Sequence, residues 1–196
     1  MIDRIKSVLS PLTGINYNTP DLPLSVFDYH GFLTKLCTDE ILKLGYGATN
    51  VKHNDFGDID ITEDESFYKI DIKIQDVTKV YSFPNLISIN KAKDILTKPN
   101  NHIIYIFVEY EYKDEHTKIT RISIKNIESL DWAYLYIQNL GKGQLQIKNI
   151  SKEEFIFKND VTRSQWFNQL KEKSIEYYDN LILKVVGYKS EWENNE

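Results

Sequence analysis

Apolar residues recur along this chain in two rhythms, and the switches between them mark its elements. A spacing of three and four first appears at Leu33, Leu36, Cys37, Ile41 and Leu44. It predicts a helix from about Asp28, as N-cap, to Leu44, with Gly45 placed to stop it. A shorter helix precedes it, separated by an irregular stretch holding Pro11, Gly14, Pro20 and Pro23. Alternation follows. Gly57-Asp58-Ile59-Asp60-Ile61 and Lys69-Ile70-Asp71-Ile72-Lys73-Ile74 interleave polar and apolar positions, and the acidic link Thr62 to Ser66 joins them as a hairpin. Leu86 to Leu96 reads as a helix ending before Pro99. His102 to Tyr112 is a strand whose continuous apolar centre suits the middle of a sheet. Lys118 to Ile124 alternates again. Leu130 to Ile147 is strand-prone but broken by a loop, Asn139 to Gly143. A last helix runs from about Thr162 to Val185, opened by Thr162-Arg163-Ser164-Gln165, which fits a capping box. This order predicts an α/β fold with a central mixed β-sheet flanked by helices.

Composition narrows the chemistry. One cysteine, Cys37, excludes an intramolecular disulfide and a multi-cysteine zinc site, and His30, His53, His102 and His116 show no paired ligand spacing. No apolar run approaches the roughly 20 residues that span a bilayer, and Met1-Ile2-Asp3-Arg4 lacks the plan of a signal peptide. The expectation is a soluble cytoplasmic protein with no membrane partner. The net charge is −5, unevenly spread: residues 1–78 carry 7 basic and 13 acidic side chains, whereas residues 79–158 carry 12 and 9. Negative charge thus gathers around the alternating hairpin, beside a mildly basic middle segment, a pattern compatible with metal-dependent work on nucleic acid.

The hairpin carries the candidate chemistry. Side chains alternate across a strand, so Asp58 and Asp60 share one face, as do Lys69, Asp71 and Lys73. A turn near Glu65 sets Asp60 roughly across from Asp71, within about 5 Å. Two adjacent carboxylates repel unless a cation sits between them or one is protonated. Mg²⁺ takes hard oxygen ligands, and one or two carboxylates with water and phosphate complete its shell. Alternation alone is also the pattern of a solvated strand face.

Asp60 followed by Asp71-Ile72-Lys73 resembles the PD-(D/E)xK nuclease superfamily, with the type II restriction endonucleases as the nearest comparison, although no proline precedes the first acid. The resemblance implies a mixed α/β core with Asp60 and Asp71 as metal ligands, aided by the Ile72 carbonyl, and Lys73 beside the attacking water. It also implies an extra acid from the preceding helix, for which Glu40 is the candidate, though a solvated helix-edge glutamate reads equally well. Gln75 shares the face of Lys73 and is a candidate substrate contact. Asn139, Lys142, Gln144 and Gln146 form a second candidate surface, one cation for phosphate and three amides for base edges, or else an ordinary glycine hairpin. The expectation is a single nuclease domain over 1–196, with its core at about 28–125 and recognition elements beyond. It would be a Mg²⁺-dependent DNA endonuclease of the restriction type, cutting double-stranded DNA as a homodimer. A structure-selective nuclease, such as a junction resolvase, and a non-catalytic nucleic-acid-binding module stay open as alternatives.

Overall fold

The isoleucines of the alternating hairpin decide which way the sheet faces. Ile59, Ile61, Ile70, Ile72 and Ile74 are buried together on one side, against Ile5 and Leu9 of a first helix and Leu33, Cys37 and Ile41 of a second. A buried aliphatic side chain of this size contributes about 1.5–3 kcal/mol, so this layer fixes the hairpin's orientation. The computed structural model describes residues 1–18, 26–45, 49–50, 57–78, 85–114, 116–138, 143–148, 157–158 and 160–193.

In chain order the elements are α1 (Ile2–Leu9), β1 (Asn16–Asn18), α2 (Val26–Leu42), β2 (Thr49–Asn50), β3 (Ile59–Glu63), β4 (Ser66–Asp76), α3 (Ile89–Leu96), β5 (Asn101–Lys113), β6 (His116–Asn126), β7 (Leu135–Gln138), β8 (Gln144–Ile147) and α4 (Arg163–Glu193). Six strands form one sheet in the order β1-β6-β5-β4-β3-β2. β4 and β5 run parallel, connected through α3, and the other neighbours are antiparallel. This is the mixed α/β fold that the element order predicts.

The central strand is covered on both sides, as its apolar run requires. Ile104, Ile106 and Val108 of β5 join the α1–α2 layer. Ile103, Tyr105 and Phe107 join a second core with α3, α4 and the β7–β8 ribbon. That ribbon is a separate two-stranded sheet. Among the described residues no helix is long and apolar enough to cross a membrane.

Several boundaries move. The helix expected from Asp28 already includes Val26, so Asp28 lies within it rather than capping it. Gly45, in the left-handed region at φ +74°, follows its end. The helix expected from Leu86 starts at Ile89, because Ser88 takes the N-cap and its hydroxyl accepts from Lys91 N–H. At α4 the capping box forms as read: Thr162 N–H donates to Gln165 Oε1 at 2.9 Å, and Gln165 N–H donates to Thr162 Oγ1 at 3.3 Å. That helix then continues past Val185 to Glu193.

Candidate active site

A tight turn sets the register on which the site depends. Glu63 pairs with Ser66, so the loop is only Asp64 and Glu65, with Asp64 at φ 51°. Asp60 therefore stands across from Lys69 and Ile59 across from Ile70. This corrects the expected pairing of Asp60 with Asp71. The turn closes one residue earlier than a turn centred past Glu65, which moves every partner by two positions and leaves the faces unchanged. Continuing the register, Asp58 is the residue opposite Asp71.

Asp58 is locked there by two bonds to β4. Its N–H donates to Ile70 O at 2.8 Å, and its Oδ2 accepts from Ile72 N–H at 2.7 Å. Gly57 permits this approach: it sits at φ +91°, and a Cβ on it would lie 2.8 Å from the Ile70 carbonyl oxygen. The N–H and C=O of one strand residue point to the same edge. The Ile72 carbonyl thus shares the edge on which Asp58 meets the Ile72 N–H.

Around Asp71 the electrostatics are unbalanced. Asp71 is 7% exposed, and Lys73 Nζ lies 2.6 Å from its Oδ2. Burial pushes the Asp71 carboxyl up to about 6; Lys73 opposes that shift and the charge of Asp58 adds to it. Asp58 is also raised by burial, against the pull of the Ile72 N–H and Lys73. Tyr105, fully buried on β5 in register with Asp71, has its hydroxyl pushed well above its ordinary value by burial and by the Asp71 charge. Two carboxylates disfavoured as anions, served among the described residues by one ammonium, fit a hard divalent cation of the Mg²⁺ kind. Among the described residues no group of three or more His, Cys, Asp or Glu converges, which leaves Asp58 and Asp71 as the carboxylates that could hold such a cation.

The other candidates fall in several places. Asp60 is held by Lys69, whose Nζ donates to Oδ1 at 3.0 Å and Oδ2 at 3.1 Å. Glu40 pairs with Lys43, and its charge acts on Cys37 and Tyr17, which pack in the α1–α2 layer on the opposite side of the sheet from Asp71. It is not brought to the carboxylate pair. Gln75 stays on the Asp71 face, level with Glu109, and its buried Nε2 meets no acceptor among the described residues. Gln144 donates to the Leu86 carbonyl at 3.0 Å and Gln146 to Asn85 Oδ1, so both amides bind the segment ahead of α3 rather than presenting to a groove. Asn139 and Lys142 lie outside the described residues.

Sequence reasoning passed over one pair. Glu109, buried on β5, accepts two bonds from Arg121 of β6, 3.0 Å from Nε and 2.8 Å from Nη2. The available signal was a carboxylate inside an otherwise apolar strand. Lys125 follows Arg121 on β6, level with Tyr105, so Gln75, Arg121 and Lys125 extend the Asp71 face away from the acids.

The sheet order and the parallel β4–β5 pair within a mixed α/β architecture give a restriction-endonuclease-like fold. Among solved structures, the chain is similar to NlaIV restriction endonuclease, with a TM-score of 0.52 and 13% identity, covering 91% of this chain and 88% of that one. No protein-family model and no curated protein sequence matches the chain.

Proposed function

We propose that this chain is a Mg²⁺-dependent endonuclease that hydrolyses phosphodiester bonds of double-stranded DNA, as a site-specific restriction enzyme does. The observation that carries the reading is the surplus of negative charge at the β3–β4 edge, where among the described residues Asp58 and Asp71 share one ammonium, Lys73. The likeness of the fold to NlaIV restriction endonuclease over nearly its whole length supports the restriction form. In PD-(D/E)xK terms, Asp58 takes the first acid's role and Asp71-Ile72-Lys73 supplies the rest.

Asp58 and Asp71 hold the cation, with the Ile72 carbonyl available on the same edge. Magnesium, when bound, polarises the phosphate, lowers the pKa of coordinated water and neutralises charge that builds in the transition state. Lys73 orients the attacking water and stabilises the negative charge developing on phosphate oxygen. Arg121 and Lys125 offer cations to the flanking phosphates. The superfamily resemblance implies 5′-phosphate and 3′-hydroxyl ends, and two copies of the chain would cut the two strands.

The test is cleavage of mixed-sequence duplex DNA by the purified protein with Mg²⁺. Discrete fragments are expected, lost in Asp58→Ala, Asp71→Ala and Lys73→Ala. Cleavage that survives Asp71→Ala and Lys73→Ala overturns the site. Failure to cut any DNA overturns the enzyme reading in favour of a binding module.

A further inference from the structure

β5 carries one charged residue in its buried run from Ile103 to Tyr110, and that residue is Glu109. Burying an acid costs its hydration, and this one stands on the sheet face proposed to meet a polyanion, so charge alone argues against it. Packing does not call for it either, because an apolar side chain of similar volume would serve the core at least as well. What Glu109 has is Arg121. Its carboxylate accepts from Nε at 3.0 Å and from Nη2 at 2.8 Å, a two-point grip on one edge of the guanidinium.

A β-bulge brings Arg121 to that carboxylate. Ile119 pairs with Tyr110 and Arg121 with Glu109, so Thr120 is an extra residue on β6, and its hydroxyl donates to the Glu109 carbonyl at 3.2 Å. In a regular strand residues 119 and 121 face the same way, which would place Arg121 beside Ile119 in the α1–α2 layer. With the bulge, Ile122 and Ile124 take that side instead, and Arg121 crosses to the face of Asp71 and Lys73. By strand rise and spacing it stands about 16 Å from Asp71, too far for the metal and near enough for a neighbouring phosphate of the same duplex. We infer that Glu109 is a positioning residue, holding the Arg121 guanidinium in one orientation on that face to receive a DNA phosphate flanking the one to be cut. The arginine side chain is 40% exposed and the carboxylate side chain 9%, so the pair is anchored below and open above. A long side chain oriented in advance spares the ordering cost at binding.

This inference rests on the proposed function for its ligand, a nucleic-acid phosphate, and its test reads binding in chelator, so a chain that binds duplex without cutting it refutes the nuclease reading and not this one. Fluorescence anisotropy of a labelled mixed-sequence duplex gives Kd at salt concentrations from about 50 to 200 mM. Glu109→Gln removes a negative charge, which by charge alone would tighten binding; it is expected to weaken binding about tenfold. Arg121→Ala is expected to weaken it by at least as much and to make the salt slope shallower by about 0.9, one phosphate. Adding Glu109→Gln to Arg121→Ala should cause no further loss, because the carboxylate acts through the arginine. Arg121→Lys, an exposed change that keeps the charge and loses the fork, should retain the slope and still bind about fivefold more weakly. A wild-type chain that does not bind duplex overturns the inference. So does Glu109→Gln binding as tightly as wild type, a further loss in the double variant, or Arg121→Lys equal to wild type.

Discussion

Two aspartate–lysine pairs lie on one face of the β3–β4 hairpin, and they are built differently. Asp60 has both carboxylate oxygens accepting from the Lys69 ammonium. Asp71 and Lys73 have Asp58 opposite them, so among the described residues two acids turn to one base. The second group strains against its own ionisation, with Asp71 held up to about 6. Asp60 has its counter-charge in Lys69, whereas the second group is short of positive charge among the described residues. The residue types are the same, but Asp60 meets Lys69 across the turn whereas Asp71 meets Lys73 along one strand, and the register sets Asp58 beside the second pair.

Cleavage should separate the pairs most sharply. Asp58→Asn and Asp71→Asn are expected to slow it by about a thousandfold or more, roughly 4 kcal/mol of barrier, while Asp60→Asn should cost less than about tenfold. Single-turnover rates on one duplex make the comparison, and equal losses at Asp60 and Asp58 would erase the distinction.

Stability without metal should divide them in the opposite sense. The Asp71 carboxyl is raised from 3.8 in the folded chain, so folding binds a proton there. The associated stability is fully present below pH 3.8 and is lost as pH rises through about 6. Asp71→Asn should therefore stabilise the metal-free protein at pH 8, by up to about 3 kcal/mol, and change it little at pH 4. Lys69→Met, which leaves Asp60 unpaired, should destabilise at pH 8 by about 2 kcal/mol. Urea unfolding in chelator at both pH values reads both; an Asp71→Asn protein less stable than wild type at pH 8 would contradict the account.

Gly57→Ala should cost about 1–2 kcal/mol, from the left-handed backbone and the close Ile70 carbonyl, and should lower cleavage beyond that loss by displacing Asp58. Unaltered kinetics would mean that Asp58 needs no such anchoring. The smallest effect belongs to Glu40→Ala, expected to leave cleavage within about twofold and stability within about 0.5 kcal/mol, as for an exposed helix pair; a large loss of activity would return Glu40 to the site.

Much of the scaffold was legible in the sequence because it depends on local rules. Period-two alternation placed Asp58, Asp60, Asp71 and Lys73 on shared faces, and the Thr162–Gln165 box marked the start of α4. The register was not legible, since Asp64-Glu65 lacks the Asn-Gly or Asp-Gly signature of a two-residue turn, and a shift of two positions preserves every face. Gln144 and Gln146 looked available because their acceptors lie 58 and 61 residues away. Glu40 read equally well as a site acid or a solvated helix-edge glutamate, because a helix's own pattern does not say which side of the sheet it will cover, and its pairing with Lys43 favours the second. Beyond Val185 the helix carries Gly187, a residue that ordinarily weakens helices, yet α4 runs on to Glu193.

The central claim is that Asp58, rather than Asp60, shares a cation with Asp71. Calorimetric titration of Mg²⁺ into the wild-type, Asp58→Asn, Asp60→Asn and Asp71→Asn proteins at pH 8 tests it directly. The account predicts binding in the wild type and Asp60→Asn, and none in Asp58→Asn or Asp71→Asn. Binding that persists in Asp58→Asn and disappears in Asp60→Asn would contradict it.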